Sequence, residues 1–197
     1  MHTTFRLLPA ITAWIAATIG SGFIASAQQS APAPAATPFD RGVQISVVAS
    51  KPRRSQGYYE DKVQKIVLTV KFANIDPRQT YEGYSATISV LGQSASVTKI
   101  KKVLAQEQVE LSLPARKTQE HVTEEVQTDF DKIGVKHGYS YYGWIIVVKD
   151  AQGKLVQVKS SSTSLEKYTE LASKLVKSKC YDSNLKPVVK DPEYSSY

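Results

Sequence analysis

The chain has 197 residues, 42% of them hydrophobic, with 25 basic and 18 acidic side chains and a formal net charge of +7. That length suits one domain with one core. A single cysteine, Cys180, excludes a fold stapled by internal disulfides, so the core itself must hold the domain.

The first 27 residues read as a secretory signal peptide. Arg6 and the amino terminus are positive, Leu7 to Ile24 is apolar apart from small polar residues, and Ala25-Ser26-Ala27 offers an A-x-A cleavage site. An uncleaved membrane anchor is the competing reading, because the apolar run is about long enough to span. Cleavage would remove one Arg and no acid, leaving the exported chain basic. The leader lacks the cysteine that a bacterial lipoprotein needs at its cut, and its apolar run precedes Gly22-Phe23, unlike a type IV pilin. Residues 28–38 (QQSAPAPAATP) form a Pro/Ala linker, and the folded domain is expected over residues 39–180.

From Phe39 onward the apolar residues recur with period two, the mark of half-buried strands. Val43, Ile45 and Val47 alternate in a first strand. Lys51 to Asp61 (KPRRSQGYYED) reads as a basic, Tyr-bearing loop. Ile66, Leu68, Val70 and Phe72 form one face of a second strand, and Tyr84, Ala86, Ile88 and Val90 one face of a third, which Gly92 to Ser94 should break. Strands are expected near Ser96–Leu104 and Gln108–Leu113, then one with Val122, Val126 and Phe130 on a single parity. Tyr139–Lys149 and Lys154–Ser160 flank Asp150-Ala151-Gln152-Gly153, a hairpin signal. About eight strands at this spacing predict a mainly β, antiparallel β-sandwich.

One C-terminal amphipathic helix is expected. Thr163 and Glu166 make a capping box, and Leu165, Tyr168, Leu171, Ala172, Leu175 and Val176 share a helical face. Tyr139–Lys149 is apolar on both parities, so something must cover its second face: this helix, or another subunit docked on Tyr142, Trp144 and Ile146. Residues 181–197 read as a flexible polar tail. Cys180 beside it could be a free thiol or could form an intermolecular disulfide.

Catalytic chemistry is not legible. His121 and His137 lack acidic companions for a metal site, no G-x-S-x-G or phosphate loop occurs, and adjacent Glu124 and Glu125 would point to opposite strand faces. The expectation is a non-enzyme without cofactor or metal. Basic residues beside aromatics can grip a polyanion, and Lys51, Arg53, Arg54, Tyr58, Tyr59, Lys99, Lys101 and Lys102 are the candidates; Lys99 and Lys101 also suit edge protection. Tyr81, Tyr84, Tyr139, Tyr141 and Tyr142 are candidates for stacking on sugar rings. Nucleic acid is not expected for an exported chain.

The segments GVQISVVASKPRR, GYYEDKVQKIVLTVKFANID and GYSYYGWIIVVKD resemble a small family of exported immunoglobulin-like proteins of Verrucomicrobia, of the Akkermansia type, encoded with a type IV pilus-like gene cluster. The resemblance runs from Phe39 to about Tyr181 and rests on no short motif. It implies an immunoglobulin-like sandwich acting in pilus-associated assembly or cell-surface contact, and supplies no catalytic residues. Partners expected on this reading are envelope or pilus-associated proteins or a second copy of the chain. The location is periplasm, outer surface or medium. A glycan- or polyanion-binding module of the envelope is the alternative.

Overall fold

The computed structural model of the chain describes residues 36–50, 62–131 and 136–194. The leader, most of the linker and the loop with Lys51, Arg53, Arg54, Tyr58 and Tyr59 lie outside them. Eleven strands and three four-residue α-helices occur among the described residues. They run α1 (Phe39–Gly42), β1 (Val43–Ala49), β2 (Lys62–Ile66), β3 (Leu68–Asn74), β4 (Tyr81–Ser94), β5 (Lys101–Leu113), β6 (Thr118–Val122), β7 (Val126–Asp131), β8 (His137–Lys149), β9 (Leu155–Ser160), α2 (Thr163–Glu166), α3 (Thr169–Ala172), β10 (Cys180–Tyr181) and β11 (Pro187–Val188).

The protein is a mainly β sandwich of antiparallel sheets. The small sheet has the order β1-β3-β6; the large one runs β11-β10-β5-β4-β8-β7-β2, with β9 also paired to β8. Their inner faces follow the sequence alternation. Leu68, Val70 and Phe72 of β3, with Val43 and Ile45 of β1, pack on Ala86, Ile88 and Val90 of β4, Leu111 and Leu113 of β5, and Ile146 and Val148 of β8. Burying each large aliphatic side chain contributes about 1.5–3 kcal/mol, so this shared interior holds the two sheets together.

The period-two run from Ile66 to Phe72 is one extended segment that serves two sheets. β2 pairs with β7 in the large sheet, and past Val67 β3 pairs with β6 in the small one. β6 and β7 make the same change over residues 123–125. The crossing is fixed by a reciprocal pair: the Leu68 N–H donates to Thr123 Oγ1 at 2.9 Å, and the Thr123 N–H donates to the Leu68 carbonyl at 2.9 Å. Two residues, Glu124 and Glu125, stand where the opposing strand has Val67 alone. That extra residue inverts the parity, as a bulge does. Val122, expected inside with Val126 and Phe130, is therefore exposed, and Thr123 takes the buried place.

β4 continues in register through Gly92 and Gln93 to Ser94; residues 96–100 form the turn that follows, and the strands expected at 96–104 and 108–113 merge from Lys101 on into one strand, β5, carried by pairing with β4. The doubly apolar β8 is explained by a second apolar layer. Ile145 and Val147, with Leu91 and Val103, pack under Leu165, Ala172, Leu175, Tyr181 and Leu185. The C-terminal segment thus covers an outer face of β8, that of Ile145 and Val147 and not that of Trp144 and Ile146, and it does so without forming one helix. The chain breaks at Tyr168 (φ −98°, ψ 46°) into α2 and α3. Glu166 does not close a capping box with Thr163; its Oε1 accepts the Ser160 N–H at 3.1 Å, and Thr169 Oγ1 donates to the Glu166 carbonyl at 2.9 Å. Each bond ties the backbone to β9 or to a fresh turn in place of a continuing helix. Residues 181–194 are not a loose tail, since β10 pairs with β5 and with β11, and buried Tyr181 and Leu185 anchor it.

Thr123→Val keeps the shape at the crossing but leaves the buried Leu68 N–H unpaired. The expected loss is about 1–2 kcal/mol of unfolding free energy, read by chemical denaturation. A loss below about 0.5 kcal/mol would show that the side-chain bond does not hold the crossing.

Candidate functional site

The basic candidates separate in space. Lys99 is exposed in the β4–β5 turn. Lys101 and Lys102 enter β5 and point to opposite faces. Lys101 is buried, 4% exposed, with its Nζ 4.5 Å from the Tyr142 ring centroid; burial pushes its ammonium below the usual lysine range, with Asp182 opposing. Lys102 is ion-paired to Asp191 at 2.8 Å. β5 is flanked by β4 and β10 at this end, so these lysines do not guard an open edge. They do not form one cationic surface with Lys99.

Lys102 belongs to a compact polar cluster instead. Asp191 Oδ2 meets Lys102 Nζ, while Asp191 Oδ1 accepts the Tyr139 hydroxyl at 2.6 Å and the Glu193 N–H at 3.1 Å. Lys102 Nζ also lies 4.9 Å from the Tyr139 ring centroid, and the Tyr139 hydroxyl is 3.4 Å from Cys180 Sγ. Burial raises the Tyr139 hydroxyl far above the ordinary tyrosine value, and Asp191 adds to this. Burial likewise pushes the Cys180 thiol up, against the hydrogen bond from Tyr139. Burial alone would raise Asp191, but the Lys102 and Tyr139 hydrogen bonds outweigh it and hold the carboxyl low. Burial would lower Lys102, and Asp191 reverses that. The result is a stable ion pair beside two protonated groups, so neither Tyr139 nor Cys180 is poised as a nucleophile.

The cluster clamps the C-terminal segment onto β5 and β8. Cys180 is buried in β10, which removes it from reach of a second chain while the fold is intact. Beside the clamp lies a cavity of about 800 Å³, whose wall includes Lys102, Thr128, His137, Tyr139 and Glu193. The Thr128 hydroxyl is buried without a hydrogen-bond partner. No group of three or more His, Cys, Asp or Glu residues able to hold a metal occurs among the described residues. His121 is paired with Glu107 at 2.8 Å, across the gap between β6 and β5.

The expected apolar interface is corrected by a bulge. Opposite Leu91–Gly92, β8 carries an extra residue, so Tyr142 and Trp144 fall on opposite faces despite their spacing. Trp144 and fully buried Ile146 join the core between the sheets, while Tyr142 sits on the outer layer above Lys101. None is an open docking surface. The sugar-stacking candidates are similarly engaged. Tyr81 and Tyr84 pack on Phe39 at 5.3 and 4.5 Å between centroids, Tyr139 is clamped by Asp191, and Tyr141 packs against the core.

Among the described residues, the outer face of the small sheet carries aligned exposed apolar side chains. Cross-strand pairing aligns Val48, Thr69 and Val122 in one row, with Val48 66% and Val122 57% exposed. The next row is Ser46, Lys71 and Glu120, in which Lys71 and Glu120 are ion-paired at 3.0 Å. The signal for Val48 was present in the strand parity; that for Val122 was hidden by the crossing.

No protein-family model matches the chain, and no curated protein matches it. Among solved structures it is similar to a protein from Akkermansia muciniphila, at 16% identity and a TM-score of 0.33 over 64% of this chain and 75% of that one. A structural-genomics target is similar at 12% identity and a TM-score of 0.33, covering 64% of this chain and 89% of that one. A calcium-binding mutant of Bacteroides uniformis β-glucuronidase 2 is similar at 14% identity and a TM-score of 0.32, over 60% of this chain and 12% of the enzyme. At these scores the likenesses decide neither family nor activity.

The clamp makes a signed prediction. The depressed Asp191 value contributes stability that is present above the unfolded carboxyl value, about 3.9, and is lost as pH falls through the folded one. Asp191→Asn should cost about 1–3 kcal/mol at neutral pH, with the deficit shrinking toward acid as the parent loses the same interaction. Denaturation across a pH series checks this, and a pH-independent deficit would rule out the ion pair as its source.

Proposed function

We propose that the protein is an exported, non-enzymatic contact module of the cell envelope. The observation that carries this reading is the exposed β-branched row Val48–Thr69–Val122, left open on the small sheet while the large sheet's outer face is covered by the chain's own C-terminal segment. Isolated exposed apolar residues are ordinary, but two valines aligned across a three-stranded face give a partner strand or loop a place to bury aliphatic surface. The flanking Lys71–Glu120 pair supplies a polar rim. No helix among the described residues is long and apolar enough to cross a membrane; with the leader cleaved, attachment on this reading comes from the folded surface. The sequence resemblance supports pilus-associated assembly or cell-surface contact as the setting. The polyanion alternative now rests on exposed Lys99 and on Lys51, Arg53, Arg54, Tyr58 and Tyr59, the last five outside the described residues, since Lys101 and Lys102 are engaged internally.

Val122→Asp places a charge in the row without touching the core. On the contact reading it should weaken capture of envelope proteins by tenfold or more, roughly 1.4 kcal/mol, with an unchanged melting curve. The check is quantitative pull-down from envelope extract, parent against variant. Equal capture by both would overturn the row as the contact surface, and capture reduced equally by heparin would favour the polyanion alternative.

A further inference from the structure

We propose that two copies of the chain pair antiparallel along β1, merging their small sheets into one. The inference deepens the contact reading by naming a partner, a second copy, and a different edge of the same sheet.

Among the described residues, β1 ends the small sheet and is paired on one side only, to β3. The Ser50 N–H donates to Val67 O, and the Ile75 N–H to Gly42 O. These bonds set the phase: even-numbered residues exchange hydrogen bonds with β3, so Val43, Ile45, Val47 and Ala49 aim their N–H and C=O groups away from it. No strand among the described residues receives them.

Every other terminal strand of the two sheets carries a guard against edge pairing. β2 has Lys65, β9 has Lys159, and β11 is two residues long and begins with Pro187. β6 has Glu120 and turns Gln119 onto β5, where its Oε1 accepts the Ser112 N–H and its Nε2 donates to the Glu110 carbonyl. β1 reads Val-Gln-Ile-Ser-Val-Val-Ala, with no charge, proline or glycine, and its seven pairs with β3 run without a bulge. A regular, neutral edge rich in β-branched residues is a template for another strand.

The chain's own flanks do not match that template. Before β1, Pro32, Pro34 and Pro38 have no N–H to give to a ladder. After it, residues 51–61 contain Lys51, Arg53, Arg54, Glu60 and Asp61. An identical β1 does match. With Ser46 facing Ser46 across a two-fold axis, Ile45 opposes Val47 and Val43 opposes Ala49 as hydrogen-bonded pairs, while Gln44 opposes Val48 on the outer face. All the apolar inner residues extend the shared core, no like charges meet across the new pairing, and the contact is isologous and closed. Half-buried Ile45, Val47 and Ala49 gain neighbours on the side where the small sheet now stops.

Sedimentation equilibrium of the exported chain over a concentration series tests the pairing. The parent should populate a dimer that dissociates on dilution. Ser46 is exposed, so Ser46→Lys should keep the parent's melting curve while weakening the dimer by at least tenfold, because two ammonium groups meet at the axis. Mixing Ser46→Lys with Ser46→Asp should restore association as a heterodimer. A parent that stays monomeric, or a Ser46→Lys variant that dimerises like the parent, overturns the proposal. Val122→Asp, on the far strand, should still dimerise. A dimer without envelope capture would sink only the heterologous contact reading, whereas capture by a strict monomer would sink only the β1 pairing.

Discussion

The fold depends on one crossing, where Leu68 and Thr123 exchange backbone and side-chain hydrogen bonds at 2.9 Å. Two neighbouring stretches of chain leave the large sheet there and enter the small one together. Ile66, Leu68 and Thr123 are buried at the crossing, while Glu124 and Glu125 beside them face solvent. A backbone that changes sheets must drop one ladder before it joins the next, and the groups stranded between cost about 1–3 kcal/mol each if unpaired. The Thr123 hydroxyl supplies the acceptor that a ladder residue would otherwise provide. With the crossing fixed, β1 and β6 take their places on either side of β3, and the small sheet's inner face is set against β4, β5 and β8.

The same logic explains which parts of the fold were legible. Period-two alternation identified the strands because burial on one face imposes it, and it placed Ile66–Phe72, Ala86–Val90 and the β8–β9 hairpin correctly. It failed where one extra residue intervenes. At Glu124–Glu125 and at Tyr142 a bulge reverses which parity faces inward, and nothing in the side-chain pattern marks it beforehand. Val122 and Trp144 were misplaced for that single reason. The C-terminal helix failed differently. Its apolar spacing was real, since Leu165, Ala172 and Leu175 are buried, but a segment laid across a twisted sheet keeps those contacts with two short turns as well as with one helix. The Ser160 N–H and the Thr169 hydroxyl then decide for the turns.

The site residues were harder to read because lysine and tyrosine serve burial as readily as display. Lys101 covers a tyrosine ring, and Lys102 forms an ion pair reinforced by a tyrosine hydroxyl. Basic-aromatic proximity in the sequence is the same signal in both uses. What separates them is the partner carboxylate, and Asp191 lies 89 residues from Lys102, beyond any local pattern. The clamp it forms has a consequence for the whole surface. By holding residues 180–194 against β5, it covers the apolar layer of Leu91, Val103, Ile145 and Val147, and thereby leaves the small sheet as the face with aligned exposed valines.

Edge protection sharpens that asymmetry. A strand edge can be neutralised by charge, by proline, by brevity or by side-chain amides that imitate a neighbouring strand, and β2, β9, β11 and β6 use these devices in turn. The Gln119 amide is the most telling, because it satisfies one donor and one acceptor of β5 as a strand residue would. A chain so guarded elsewhere, whose clamp also closes the other end of the large sheet, leaves β1 neutral and regular against the same hazard. Under an aggregation risk common to all edges, an unguarded one persists when pairing there is closed and finite. Two-fold pairing about Ser46 has that property: it consumes both free edges at once, and the merged sheet ends at each side in a guarded β6.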